Sequence, residues 1–273
     1  MSTNTVDILK KVTTATVARM KQNGERIAMI TAYDYTMASL VDASGMDLIL
    51  VGDSAANVMA GYETTIPMTI DKMIYHAQCV TAGAKRAMVI VDMPFGSYQG
   101  DATSALHNAV RMIKESGAAA VKLEGGREIR ESVEKILAAG IPVMAHLGLT
   151  PQSVNKFGGY GIRAKEADEA ERLIADAHML EQLGCFALVL EKVPSALAAR
   201  VASELSIPVI GIGAGPDIDG QVLVLQDMLG MNVGFKPKFL RLYANLAETI
   251  DASLRQYIAD VKAVDFPTQA ESY

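Results

Sequence analysis

Short apolar runs recur along the chain, and a segment with helical spacing follows most of them. Each run is only about 4–8 residues long and almost continuously apolar, a pattern typical of parallel strands that are buried on both faces. The pattern predicts strands at Ile27–Tyr33, Leu48–Val51, Ala87–Asp92, Ala118–Leu123, Ile141–Ala145, Phe186–Leu190, Ile207–Ile212 and Asn232–Phe235.

Helical segments lie between these strands. Three of them, Asp101–Ser116, Arg127–Ala139 and Lys165–Leu183, are each followed directly by a glycine, which favours the left-handed conformation at the end of a helix. Strands that alternate with helices, without a break in composition, predict the α/β class and one (β/α)8 barrel, a TIM barrel, over residues 1–273. An open, doubly wound sheet is the alternative.

Two further helices are predicted outside this repeating pattern. An N-terminal helix falls within residues 1–23, over Val6–Gln22. A C-terminal helix falls within residues 239–265, over Phe239–Ala263. We expect these helices to close the bottom of the barrel or to form subunit contacts.

Two connections are longer than ordinary turns, from Gly52 to Met68 and from Leu147 to Arg163. Both leave the carboxyl ends of predicted strands, where the active sites of barrels lie. The second connection is rich in glycine. We expect it to fold over the site and exclude water.

The composition narrows the class of protein. Of 273 residues, 50% are hydrophobic and 21% are charged, which excludes a disordered or fibrous chain and predicts apolar contacts between subunits. The net charge is −6 without a stripe of basic residues, so no nucleic-acid partner is expected. No apolar run approaches the ~18 residues of a membrane span. Because Cys79 and Cys185 are too few for a disulfide framework, we expect a soluble cytoplasmic protein.

Acidic residues stand at the ends of four predicted strands: Asp53, Asp92, Glu124 and Glu191. Lys122 lies two residues before Glu124, so the alternation of a strand points both side chains into the barrel. Four carboxylates and one lysine would therefore surround one mouth. His146, at the end of the fifth strand, is either a polar residue lining this mouth or a satisfied core histidine.

The clustering of these carboxylates predicts a cation, because carboxylates repel one another and desolvate poorly without positive charge. No Cys or His pair stands next to them, so Mg²⁺ is favoured over Zn²⁺. We expect Asp53 and Asp92 to be ligands, with Glu124 binding directly or through a water. A single aspartate at a strand end could instead be a helix N-cap or a turn residue, and Glu191 could pair with Lys192.

A set of motifs in fixed order covers nearly the whole chain and closely resembles the ketopantoate hydroxymethyltransferase (3-methyl-2-oxobutanoate hydroxymethyltransferase) family. The long segment HLGLTPQSVN followed by FGGY is the most specific of them. The matching segments are MITAYDY (29–35), LVGDS (50–54), DMPFGSY (92–98), VKLEGG (121–126), HLGLTPQSVNKFGGY (146–160), LVLEKVP (188–194) and IPVIGIGAG (207–215).

The resemblance implies a (β/α)8 barrel and a decameric assembly of identical subunits. It implies a Mg²⁺-dependent transfer of a one-carbon unit from 5,10-methylenetetrahydrofolate to 3-methyl-2-oxobutanoate, which gives ketopantoate and tetrahydrofolate. The chain would then act in pantothenate biosynthesis, upstream of coenzyme A.

The resemblance also implies roles for individual residues. Asp53 and Asp92 would ligate the metal, with Glu124 completing its shell. Glu191 would accept the proton that leaves C3 of the oxo acid. The predicted contacts of the oxo acid are Asp53, Ser54, Asp92, Lys122 and His146.

The chain departs from the family pattern at two places. Ala55 and Ala56 follow the GDS segment, where family members commonly continue with Leu-Gly. Gln226 stands where the family usually has histidine. Neither change touches a predicted metal ligand.

Three other functions are compatible with the same residues. Lys122 could be the Schiff-base lysine of a metal-free aldolase, although nearby carboxylates would keep it protonated and poorly nucleophilic. A Mg²⁺-dependent C–C lyase of the phosphoenolpyruvate mutase/isocitrate lyase type would share the barrel and the metal. A non-catalytic barrel that binds a metal or an oxo acid is the third, but it gives no reason for Glu191 to stand beside two metal ligands.

Overall fold

The computed structural model describes residues 10–273 of the chain. The first helix of the chain begins at a threonine N-cap. Helix α1 spans Thr14–Gln22, and the Thr13 hydroxyl caps it by accepting a hydrogen bond from a backbone N–H of the first turn. The sequence predicts a helix over Val6–Gln22. This prediction is wrong for residues 10–12, which come before the cap and are not helical, and residues 6–9 lie outside the described part of the chain.

Parallel strands form a closed barrel in chain order, which confirms the predicted (β/α)8 fold and excludes the open sheet. The strands are β1 (Ile27–Thr31), β2 (Leu48–Val51), β3 (Met88–Asp92), β4 (Ala120–Glu124), β5 (Val143–Gly148), β6 (Ala187–Glu191), β7 (Val209–Ile212) and β8 (Gly220–Leu223). The first seven predicted strands are confirmed, with small shifts of their ends. Pro142 and Pro208 each lie directly before a strand, because proline has no N–H to donate to a neighbouring strand.

The eighth predicted strand is wrong. Asn232–Phe235 is a loop, and its Val233 is 85% exposed. The barrel is closed instead by Gly220–Leu223, which pairs with both β1 and β7. A Cβ at Gly220 would lie 2.5 Å from the carbonyl oxygen of Ile27, so the close approach of the two strands requires glycine there.

Alternate strand residues point into the barrel and form its core. This buried cluster includes Ile27, Met29, Leu48, Leu50, Met88, Ile90, Ala120, Met144, Ala187, Val189, Ile210 and Val222, together with Val12 and Val17 of the N-terminal segment. Asp92, Lys122 and His146 each come two residues after a member of the cluster. The same alternation therefore carries polar side chains to the carboxyl end of the barrel interior.

Helices surround the barrel. They are α2 (Tyr35–Ala43), α3 (Ala55–Val58), α4 (Ile70–Gly83), α5 (Ala102–Ser116), α6 (Arg130–Ala138), α7 (Val154–Phe157), α8 (Ala167–Leu183) and α9 (Ser195–Glu204). The three helices predicted from their terminal glycines are confirmed as α5, α6 and α8, and a 3₁₀ turn over Arg127–Ile129 precedes α6. Among the described helices, none combines the length and the apolar character that crossing a membrane requires.

The chain divides into two compact units, and the barrel lies in the first, which ends at Val224. The second unit contains α10 (Leu225–Met228) and α11 (Leu246–Ala263). The predicted C-terminal helix therefore begins later than Phe239, because the segment before it is held to the end of α10 by hydrogen bonds such as that from Tyr243 N to the Met228 carbonyl oxygen, 2.9 Å. Helix α11 has no buried residue.

Candidate active site

Six of the predicted site residues lie together at the carboxyl end of the barrel. Asp53 lies in the turn between β2 and α3, and the others belong to β3, β4, β5 and β6. Five of these side chains are buried: Asp53, Asp92, Lys122, Glu124 and His146. Glu191 keeps 17% of its side chain exposed, so it stands at the edge of the buried group.

Lys122 lies at the centre of this group. Its Nζ is 3.0 Å from Asp92 Oδ1 and 3.8 Å from Glu124 Oε1. It also lies 3.1 Å from His146 Nδ1. On the opposite side of Asp92, Oδ2 accepts a hydrogen bond of 3.0 Å from the backbone N–H of Asp53. The β2, β3, β4 and β5 ends are thus joined by one polar network.

Burial shifts the pKa values of the three inner carboxylates upward. Burial and the negative charge of Glu124 raise the pKa of Asp53 to about 6. Burial also raises the pKa of Asp92 to about 6, although the positive charge of Lys122 lowers it. The pKa of Glu124 rises to about 7 for the same reason. Burial alone would lower the pKa of Lys122, but the three carboxylates outweigh it and hold the pKa above its usual range. At neutral pH the buried group therefore carries more negative than positive charge.

His146 is neutral in this environment, because burial and the Lys122 charge lower its pKa to about 4. The ammonium group of Lys122 can only donate, so Nδ1 of His146 accepts and its proton is assigned to Nε2. That nitrogen lies 3.5 Å from Oε2 of Glu191. His146 is therefore a lining residue of the site that points its N–H toward Glu191.

Ser54 stands beside the buried carboxylates without touching them in the described contacts. Its hydroxyl lies 2.8 Å from the hydroxyl of Tyr33. Ala55 and Ala56, two of the three residues that depart from the family pattern, are fully buried and begin α3 directly after Asp53 and Ser54 in the chain.

The chemistry of these donors fits a divalent cation that prefers oxygen. Within residues 10–273, no three His, Cys, Asp or Glu side chains form a ready metal cage. The Lys122 Nζ lies 3.0 Å from Asp92 Oδ1, and the amide of Gln152 donates a hydrogen bond to Asp53 Oδ2. Mg²⁺ usually takes one or two carboxylates and keeps waters or substrate oxygens, so a complete protein cage is not required.

The connection from Leu147 to Arg163 returns to the end of β6. Leu149 N donates to the carbonyl oxygen of Glu191, 2.8 Å, and Arg163 N donates to that of Lys192, 2.9 Å. The Lys192 ammonium donates to the carbonyl oxygen of Tyr160, so Lys192 holds this loop. The described ion pairs include none between Lys192 and Glu191. Burial and the charges of Asp53 and Glu191 raise the pKa of Tyr160.

Gln152 and Tyr98 belong to the site although neither was predicted from its chemistry. Gln152 is buried and hydrogen-bonds to both Asp53 and Glu124. The Tyr98 hydroxyl contacts the Glu124 backbone. The only signal in the sequence was their place inside the motifs DMPFGSY and HLGLTPQSVNKFGGY.

Known proteins similar to this chain show the family to which it belongs. The family model described as ketopantoate hydroxymethyltransferase matches residues 11–269. A 3-methyl-2-oxobutanoate hydroxymethyltransferase of Porphyromonas gingivalis is 63% identical over 273 residues and covers 100% of both chains. One of Flavobacterium johnsoniae is 63% identical over 264 residues, covering 97% of each chain.

Solved structures show the same fold at low sequence identity. The crystal structure of 2,3-dimethylmalate lyase, a PEP mutase/isocitrate lyase superfamily member, gives a TM-score of 0.58 at 16% identity and covers 93% of this chain and 88% of that one. This likeness concerns the fold alone. The family is shown by the match of the family model and by relatives that align with this chain over almost its full length. The chain belongs to the ketopantoate hydroxymethyltransferase family.

Proposed function

We propose that this chain transfers the one-carbon unit of 5,10-methylenetetrahydrofolate to 3-methyl-2-oxobutanoate, with Mg²⁺ as cofactor, in pantothenate biosynthesis in the cytoplasm. The observation that carries the proposal is the partly exposed Glu191 carboxylate beside a buried group of three carboxylates and one lysine. Family membership supports the same reaction.

Asp53 and Asp92 would hold the metal, with Glu124 binding directly or through a water. When bound, Mg²⁺ supplies positive charge that polarises the 2-oxo group of the substrate and offsets the buried negative charge. Lys122 would hold the substrate anion, because its pKa keeps it protonated. The Ser54 hydroxyl, which lies 2.8 Å from that of Tyr33, would complete the substrate contacts.

The chain's own residues then carry out a proton transfer. Glu191 takes the proton from C3, and the C3–H electron pair delocalises toward the 2-oxo oxygen. The resulting carbanion equivalent forms a bond to the methylene carbon of the folate while one of the two C–N bonds of that carbon breaks, and the released nitrogen keeps the electron pair and receives the proton taken from C3. Water then displaces the second folate nitrogen from the same carbon, which supplies the hydroxyl group of the product and returns one proton to that nitrogen, so the products are ketopantoate and tetrahydrofolate. The Nε2–H of His146 faces Glu191 and orients its carboxylate during this transfer.

The geometry disfavours the alternative in which Lys122 forms a Schiff base. Its ammonium group lies 3.0 Å from Asp92 and is surrounded by negative charge, so the free amine that such a mechanism needs is scarce at neutral pH. A C–C lyase remains compatible with the fold, but the sequence family favours one-carbon transfer.

Proton exchange at C3 tests the proposal without the folate. We expect 3-methyl-2-oxobutanoate incubated with the protein and Mg²⁺ in D₂O to lose its C3 proton signal in NMR, and EDTA to stop this loss. Adding methylenetetrahydrofolate should then give ketopantoate. If the oxo acid binds but neither exchanges nor reacts with the folate, the proposed substrate is wrong.

We further propose that the protein is a homodecamer. Helix α11 supports self-association because it has no buried residue yet carries apolar side chains at helical spacing, Ile250, Leu254, Tyr257, Ile258 and Val261. Light scattering should give a mass of about 290 kDa, ten times the 29.1 kDa of one chain. A peak at the mass of one chain would contradict this prediction.

A further inference from the structure

We propose that Gln152 is a positioning residue that fixes two carboxylates of the proposed metal site, Asp53 and Glu124, and thereby sets the affinity for the metal. This inference rests on the proposed function, since it concerns the same site. It assigns a role to a residue of the long connection after β5, far from both carboxylates in the sequence.

The backbone and side chain of Gln152 reach different strands. Its backbone N–H donates to Oε2 of Glu124, 3.0 Å, at the end of β4. Its side-chain Nε2 donates to Oδ2 of Asp53, 2.9 Å, after β2, and to the carbonyl oxygen of Met93, 2.9 Å, after β3. One residue thus links the ends of three strands that carry the proposed metal ligands.

The orientation of the Gln152 amide is fixed by its neighbours. The Met93 carbonyl can only accept, so the group facing it must be the amide nitrogen. The other amide atom, Oε1, accepts hydrogen bonds from the Tyr98 hydroxyl, 2.8 Å, and from Nε2 of Gln99, 2.9 Å. Both hydrogens and both lone pairs of the amide are therefore used, and the side chain has one well-defined position.

Tyr98 extends this arrangement to the backbone of Glu124. Its fully buried hydroxyl lies 3.0 Å from the Glu124 N–H and 3.1 Å from the Glu124 carbonyl oxygen. The side chain of Glu124 is held through the Gln152 backbone, and its main chain through Tyr98. Groups that orient metal ligands in this way affect metal affinity without touching the metal.

Replacing the amide by a side chain of similar length tests this role. We expect Gln152→Met to lower the affinity for Mn²⁺, measured by electron paramagnetic resonance or calorimetry without substrate, by about 10–100-fold. Tyr98→Phe should lower it by a smaller factor, because the Gln152 links to Asp53 and Glu124 stay in place. Gln78→Met is the matched control: among residues 10–273 its amide donates to a backbone carbonyl, that of Glu115, and Mn²⁺ affinity should stay within about twofold of the wild type.

A second comparison separates positioning from general loosening of the structure. In an Asp53→Asn background the carboxylate that the Gln152 side chain orients is already removed, and the link from the Gln152 backbone to Glu124 is unaffected by the substitution, so adding Gln152→Met should lower the remaining Mn²⁺ affinity by less than about threefold. A full additional loss would show that the substitution acts elsewhere and would overturn the inference. A folded Gln152→Met protein with wild-type affinity would overturn it as well.

The outcomes distinguish this inference from the proposed function. If the wild-type protein binds no Mn²⁺, the proposed metal site itself is wrong. If the wild type binds Mn²⁺ and Gln152→Met does not fold, Tyr98→Phe decides the question, and unchanged affinity in that folded variant would overturn the role of the network.

Discussion

The Glu191→Gln variant is expected to lose C3 proton exchange by about 10²–10⁴-fold, the usual contribution of a general base. The amide has the same shape as the carboxylate but cannot accept the proton. His146 Nε2 lies 3.5 Å from Glu191 Oε2 without a hydrogen bond, and glutamine has nearly the volume of glutamate, so the local packing should be retained. Mn²⁺ and the oxo acid should therefore bind with nearly unchanged affinity.

This prediction is measured by NMR in D₂O, as the rate at which the C3 proton signal disappears, with binding followed separately by calorimetry. Glu134→Gln is a matched control, because Glu134 is exposed on α6 and makes none of the described side-chain contacts. A Glu191→Gln protein that exchanges at the wild-type rate would show that another residue is the base.

The Lys122→Met variant is expected to lose about 3–5 kcal/mol of unfolding free energy, the typical cost of leaving buried charge without its partner. Lys122 is the cation that offsets Asp53, Asp92 and Glu124, and it is itself only 3% exposed. Methionine fills a similar volume, so the loss would reflect charge rather than a cavity. The variant should also lose binding of the oxo acid.

The size of this loss depends on pH. The pKa values of Asp53 and Asp92 are raised to about 6 and that of Glu124 to about 7, above their values in the unfolded chain. These groups are mostly protonated at pH 5 in the folded protein and become charged as the pH rises, while the unfolded chain has already released its protons. Without Lys122 the repulsion of the charged forms is uncompensated, so the stability deficit should be smaller at pH 5 than at pH 8.

Urea unfolding with EDTA present at both pH values measures the deficit. Lys114→Met provides the control, because Lys114 is exposed in the last turn of α5. The control should change the unfolding free energy by no more than about 0.5 kcal/mol. A Lys122→Met protein as stable as the wild type at pH 8 would mean that the inner carboxylates are not charged together.

The sequence contained the information for most of the barrel, because each buried parallel strand is a local apolar run and each strand has a period of two. That period places Lys122 and Glu124 on the same inner side, as the structure confirms. Strand β8 could not be recognised in this way, since Gly220–Leu223 has no apolar run and is a strand only because β1 and β7 lie on either side of it.

The candidate site, too, could be predicted from the sequence only in part. The acidic residues at the strand ends were visible in the sequence, because each of them ends or follows a local pattern. The links between them were not: Gln152 and Asp53 are 99 residues apart, and only closure of the barrel brings the amide within 2.9 Å of the carboxylate. The tautomer of His146 likewise depends on Lys122, 24 residues earlier. Local periodicity thus determined which residues face the mouth, whereas their hydrogen bonds and pKa values were decided by non-local contacts that only the folded chain creates.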